Sequence, residues 1–286
     1  MARRADAFPG NAPGAFFVDR SCIDCGTCYT FAPETYADAG DHSVVARQPA
    51  TGEARMRAAM ALVACPTSSI GTDDKTGLAE AARAFPHPVE GGVHFCGYTS
   101  ERSFGAWSWF IRREAGNVLV DSPRAAGPLM ARLEALGGLR WMVLSHRDDI
   151  ADHAAFRARF GCERVIHADE GIRGMEREIR GQDPVRLDPD LLLIPVPGHT
   201  KGSQCLLYRD FLFTGDHLWW NPDRGRLSAG RSVCWHDWEA QLASLERLLD
   251  VDFRWVLPGH GAPKAFQDAR EARRELRRAL DLLRTF

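Results

Sequence analysis

"LSHRDDIADHAAF", residues 144–156, closes the apolar run "RWMVL" (140–144) with two histidines and three aspartates. The run is short and apolar, so it reads as a buried strand, and the polar crowd sits where the chain leaves a sheet. Two readings compete. The crowd is a metal site, or it is the start of a helix over "DHAAFRARF" with Asp149 or Asp152 as a cap.

The same punctuation recurs downstream. "LLLIPVPGHT" ends at His199, "FLFTGDH" at Asp216 and His217, and "RWVLPGHG" at His260. Strands of one sheet deliver their ends to a common edge, where groups far apart in sequence can meet. Glycine precedes His199, Asp216 and His260 and permits turns that aim the side chain inward. A single histidine or capping aspartate needs no ligand to explain it. Four successive strand ends in His and carboxylate point to a metal centre.

The rest of the chain bounds what such a centre serves. With 286 residues it can bury a large core, and 45% hydrophobic and 26% charged residues suit a globular protein. The formal charge of -2 gives no global attraction to nucleic acid or membrane. Recognition of a small-molecule substrate at a local site is therefore expected, and nucleic acid is not. The stretch "MARRADAFPGNAPGAFF" lacks a continuous apolar core, and no run approaches the roughly 20 apolar residues of a membrane helix, so a cytoplasmic location is expected.

"SCIDCGTCYTFAPETY" sets Cys22, Cys25 and Cys28 at two-residue gaps, and "LVACPTSSI" adds Cys65 before Pro66. Two-residue gaps let three thiolates converge in a tight loop, with a fourth arriving from afar. Residues 14–73 resemble a bacterial-type ferredoxin, which implies one [4Fe–4S] cluster on Cys22, Cys25, Cys28 and Cys65. Zinc on the same four thiolates is the alternative. Cys96, Cys162, Cys205 and Cys234 share no close spacing and read as small buried hydrophobes.

Residues 73–92 hold two prolines, an alanine-rich segment and a glycine pair, and read as a short helix and connector. Beyond them "SWFIRREAGNVLVDSP" reads as a hairpin, "GPLMARLEALGG" as a helix, and six short apolar runs mostly as strands. A further helix is expected at about 236–249. Phe266, Ala269, Ala272, Leu276, Ala279, Leu280 and Leu283 form an apolar stripe on a terminal helix whose arginines read as a solvated face. The expected organisation is residues 1–75 as a small α+β ferredoxin-like domain, 76–92 as linker and 93–286 as a layered α/β domain with mixed sheets.

Residues 90–263 are similar in motif order to the metallo-β-lactamase superfamily, with its H-x-H-x-D-H loop, GH-T segment, GD strand end and final GH. The resemblance implies a four-layer αββα sandwich with a dinuclear site along one edge. It implies His146, Asp152, His153, His199, Asp216 and His260 as ligands. This chain departs from the motif, because "HRDDIADH" has no second histidine and carries two extra residues. Asp148 is the nearest replacement and Asp149 the next, and either can instead be a cap. Carboxylate for imidazole shifts preference from zinc toward iron or manganese. Flavodiiron oxidoreductases of the same superfamily carry H-x-E-x-D there.

Three functions follow. The first is a metallo-hydrolase with two divalent cations, zinc first and iron or manganese next, activating a bridging hydroxide that Asp152 orients. Its ferredoxin-like segment is then structural, redox-sensing or a docking surface. The second is a diiron oxidoreductase receiving electrons through the cluster, with a redox partner protein. The third is a non-catalytic iron–sulfur sensor. The hydrolase is preferred. Trp219, Trp220 and Trp235 either line the pocket mouth or pack in the core, and Lys201 either meets an anionic substrate or faces solvent.

Overall fold

A computed structural model describes residues 2–285. By contacts the chain divides into two units, one of residues 2–140 with 151–162 and one of residues 141–150 with 163–285. This contact division runs through the "LSHRDDIADHAAF" stretch itself.

In the first unit, Phe16–Val18 pairs antiparallel with Ile70–Thr72, and Tyr36–Asp38 with Ser43–Val45. Helices Thr27–Phe31 and Gly52–Ala64 bring Cys28 and Cys65 toward one another, because Cys65 directly follows the longer helix. Four antiparallel strands follow in the order His87–Glu90, Val93–Phe95, Trp109–Ile111 and Val118–Val120. The last two form the expected hairpin. Within residues 76–92 lie a helix at Leu78–Arg83 and the first of these strands. Helices Gly127–Ala135 and His153–Phe160 complete the unit.

The second unit holds three parallel strands, Trp141–Val143, Glu163–His167 and Arg177–Ile179. It also holds a six-stranded sheet. Its order is Val185–Asp188, Leu191–Pro195, Gln204–Tyr208, Phe211–Gly215, Trp255–Pro258 and Lys264–Ala265. Two helices, Trp238–Arg247 and Ala269–Leu283, contribute to the same hydrophobic cluster as this sheet, where Leu242, Leu245, Leu276 and Leu280 join Ile194, Leu212 and Val256. The terminal helix is capped by Asp268, which accepts from the Glu271 N–H, while Glu271 reaches back to the Gln267 N–H. Burying each leucine of its stripe contributes about 1.5–3 kcal/mol. Cys205 lies in this core, and Cys96 and Cys162 are also buried. Cys234 is not a buried hydrophobe: it is half-buried, and its thiol donates to the Gly198 carbonyl.

Pairing of the strand ends positions the site. Phe211–Gly215 and Trp255–Pro258 run parallel with Gly215 opposite Pro258, and the Gly259 N–H donates to the Gly215 carbonyl at 2.8 Å. Asp216 and His260 therefore leave neighbouring strands side by side. The Gln204 N–H donates to the Ser145 carbonyl and its amide to the Leu144 carbonyl. These two bonds hold the end of Trp141–Val143 beside the start of Gln204–Tyr208.

Candidate metal centre

Two sets of ligand atoms face one another in the second unit. His146, His199 and Asp216 form one, and Asp149, Asp216 and His260 the other, each with its atoms within 4.8 Å. Asp216 belongs to both. Its Oδ2 lies 3.7 Å from His146 Nε2 and 3.8 Å from His199 Nε2. Its two oxygens lie 2.8 and 2.9 Å from His260 Nδ1. The His146 and His199 rings meet edge to face with centroids 4.7 Å apart.

The backbone explains who points inward. His146 is an extended residue directly before a 3-10 turn at Arg147–Asp149. The turn directs its two aspartates differently, with Asp149 toward Asp216 and His260 and Asp148 toward the more open side of His146 and His199. Asp149 is accordingly buried, whereas the Asp148 side chain is 49% exposed. Asp148 still keeps an oxygen 3.9 Å from His146 Nε2 and 4.0 Å from His199 Nε2, at the edge of the first set.

Electrostatics of the cluster suit cations. Burial works against ionisation of Asp216, yet His260, His146 and His199 together hold its carboxyl well below the usual carboxylate range. Burial, reinforced by His146, pushes the His199 imidazole down toward its neutral form, the form that binds metal. His199 Nε2 is buried without a hydrogen-bond partner, an arrangement that costs free energy unless something fills it. At Gly259 an added Cβ would stand 2.6 Å from Asp149 Oδ2 and 2.8 Å from Asp216 Oδ1, so only glycine lets the two carboxylates approach. Gly215, with φ of +50°, makes the turn into Asp216 and passes so close to Ser145 that a Cβ would collide with its Oγ. These observations fit a centre of bound cations.

Asp152 and His153 lie outside both sets. They belong to the first unit, where Asp152 precedes the helix His153–Phe160. One Asp152 oxygen accepts from the Arg102 guanidinium at 3.1 Å and the other from the Ala125 N–H at 2.9 Å. Neither residue belongs to the His146, His199, Asp216 set or to the Asp149, Asp216, His260 set. His217 also stays out of the sets; burial, then His199 and Arg247, push its imidazole down to about 3.

A cavity of about 450 Å³ opens beside the centre, lined by Arg147, Asp148, Thr200, Lys201, Trp235 and His236. Trp235 is 66% exposed, while the backbone N–H groups of Trp235 and His236 donate to the His199 carbonyl. The indole thus stands in solvent on a segment tied to a candidate ligand. Trp220 packs edge-on against Phe266 instead.

Four thiols gather separately in the first unit. Cys22, Cys25, Cys28 and Cys65 line one cavity with Val18, Ile23 and Ile70. Burial pushes the Cys25 thiol up to about 11 and Cys28 further still. Bound iron reverses that preference by its own charge. N–H groups of Asp24 and Ser43 lie 3.5 and 3.4 Å from Cys22 Sγ, and that of Ser69 lies 3.3 Å from Cys65 Sγ. Such donors stabilise cluster thiolates and tune their potential.

Comparison with known proteins places these features. Residues 18–72 match the family model of the 4Fe-4S single cluster domain of Ferredoxin I. A metallo-beta-lactamase from Pontibacter korlensis superposes with a TM-score of 0.52 at 16% identity, covering 70% of this chain and 98% of that one. The chain has the metallo-β-lactamase fold. A second enzyme of this fold, from Erythrobacter litoralis, gives a TM-score of 0.52 at 16% identity over 70% of this chain and 91% of its own. By sequence the chain is also similar to a hydroxyacylglutathione hydrolase of Shewanella loihica. It is 30% identical over 149 residues, 48% of this chain and 56% of that protein. The chain thus spans little more than half the length of this curated relative. No helix among the described residues is long and apolar enough to cross a membrane.

Proposed function

We propose that the chain is a metal-dependent hydrolase with two divalent cations, one on His146, His199 and Asp216 and one on Asp149, Asp216 and His260. The observation that carries the proposal is that a single carboxylate, Asp216, is common to both ligand sets. Cations so placed lower the pKa of water toward neutrality and polarise a carbonyl or phosphoryl group. His146 and His199 serve as neutral donors, and Asp216 and Asp149 as anionic ones. Gly259 keeps the two carboxylates in register. A small-molecule substrate enters the cavity lined by Arg147, Lys201, Trp235 and His236. The name of the Shewanella relative suggests an acyl thioester as its class.

Cys22, Cys25, Cys28 and Cys65 hold one [4Fe–4S] cluster in this reading, and its role is redox-sensing or electron transfer in the cytoplasm. A second reading has a specific observation behind it. The two sets bring the carboxylates of Asp149 and Asp216 together with three histidines, and oxygen-rich donor sets favour iron. A diiron centre fed by the cluster would then act in redox chemistry.

Anaerobic purification, elemental analysis and a hydroxyacylglutathione hydrolysis assay distinguish the two. Zinc beside about four irons per chain, with turnover of the thioester, supports the hydrolase. Roughly six irons, no zinc and no hydrolysis support the diiron reading.

A further inference from the structure

Glu170 ends the turn that follows the strand Glu163–His167, and its side chain has 0% exposure. A buried carboxylate is costly unless its oxygens are fully engaged. Here they are. One oxygen accepts from the Arg147 backbone N–H at 3.2 Å and from Arg147 Nε at 2.8 Å. The other accepts from the Gly202 N–H at 2.7 Å and from the Thr200 hydroxyl.

The donors matter because of where they stand in the chain. Arg147 directly follows His146, and Thr200 directly follows His199. The Thr200 loop is itself braced, since Thr200 N–H donates to Ser203 Oγ at 3.0 Å and the two hydroxyls lie 2.7 Å apart. A shift at Glu170 therefore passes to each imidazole across one peptide unit, with little slack to absorb it. We infer that Glu170 is a positioning residue for the metal centre, setting the separation and aim of His146 and His199 through these four hydrogen bonds. The inference rests on reading those histidines as metal ligands.

The test uses the full chain and cobalt(II), with affinity measured against a chelator and geometry read from the visible absorption of the bound ion. Glu170→Gln keeps the volume but offers one acceptor oxygen and turns an NH2 group toward N–H donors. Cobalt binding is expected to weaken by about 10–100-fold, the usual effect of losing an outer partner, and the absorption bands to change. Leu276→Ala in the terminal helix is the control, expected to lower stability while leaving cobalt affinity and spectrum unchanged. Wild-type affinity and spectrum in Glu170→Gln overturn the inference, as does an equal loss in Leu276→Ala. If Glu170→Gln does not fold, Thr200→Val removes one donor and carries the test, with weaker cobalt binding expected and unchanged binding overturning it. A wild-type chain that binds no cobalt instead refutes the metal reading beneath it.

Discussion

Replacing Gly259 with alanine would insert a methyl group between two carboxylates of the centre. The new carbon would stand 2.6 Å from Asp149 Oδ2 and 2.8 Å from Asp216 Oδ1, against an ordinary contact of 3.4 Å or more. Asp149 must then retreat by about 0.8 Å, several times the roughly 0.2 Å tolerance of a metal–ligand distance. Asp216 cannot yield freely, because both its oxygens meet His260. Gly259 does not occupy the left-handed region, so its backbone accepts alanine and the fold should survive. The expected cost is at least about 10–100-fold in metal affinity, or about 1.4–2.8 kcal/mol, with the Asp149 set suffering first. Equilibrium dialysis against zinc, with thermal unfolding of the metal-free protein in parallel, measures both sides. A Gly259→Ala chain that keeps two ions at wild-type affinity would refute the reasoning.

Three further outcomes follow from the same structure. Asp152→Asn should leave metal content unchanged while costing stability by about 1 kcal/mol through weaker bonds to Arg102 and the Ala125 N–H; metal loss would return Asp152 to the centre. Protein purified without oxygen should be brown, with broad absorption near about 400 nm that Cys65→Ser diminishes; a colourless wild type with four iron-free thiols removes the cluster. Burial, then Arg57 and His94, holds the His87 imidazole below its ordinary 6.5. The unfolded chain therefore binds the extra proton first. The stability this contributes is complete above about pH 6.5 and declines as pH falls below it. Urea midpoints of metal-free wild type and His87→Asn at pH 7.5 and 5.5 check this, with a smaller drop expected for the variant and an identical drop counting against it.

The strands that carry the candidate ligands were readable because their apolar runs are bounded by glycine and histidine. Phe211–Gly215 and Trp255–Pro258 appear where "FLFTG" and "RWVLPG" place them. Strands that escaped are mostly edges. Arg177–Ile179 and Val185–Asp188 are short and polar, as suits strands at the border of a sheet. His87–Glu90 contains Pro88 and so resembled a connector, although proline is tolerated at a sheet edge. At the centre, spacing pointed to Asp148, which keeps an oxygen 3.9 Å from His146 and 4.0 Å from His199, whereas the burial of Asp149 beside Asp216 and His260 leaves no mark in a run of "RDD". Asp152 was legible both as a ligand by motif and as a helix-start residue by position, and the structure places it at the helix start. Glu170 lies in no motif. Its only trace is an acidic group just past the strand "ERVIH", and its importance depends on donors 23 to 32 residues away.

Anomalous X-ray diffraction from crystals of the metal-loaded protein addresses the shared carboxylate directly. The account predicts two cation peaks about 3.5–4 Å apart, both touching Asp216, with His146 and His199 on one and Asp149 and His260 on the other. A single peak, or a pair in which Asp216 contacts only one ion or Asp149 contacts none, would contradict it.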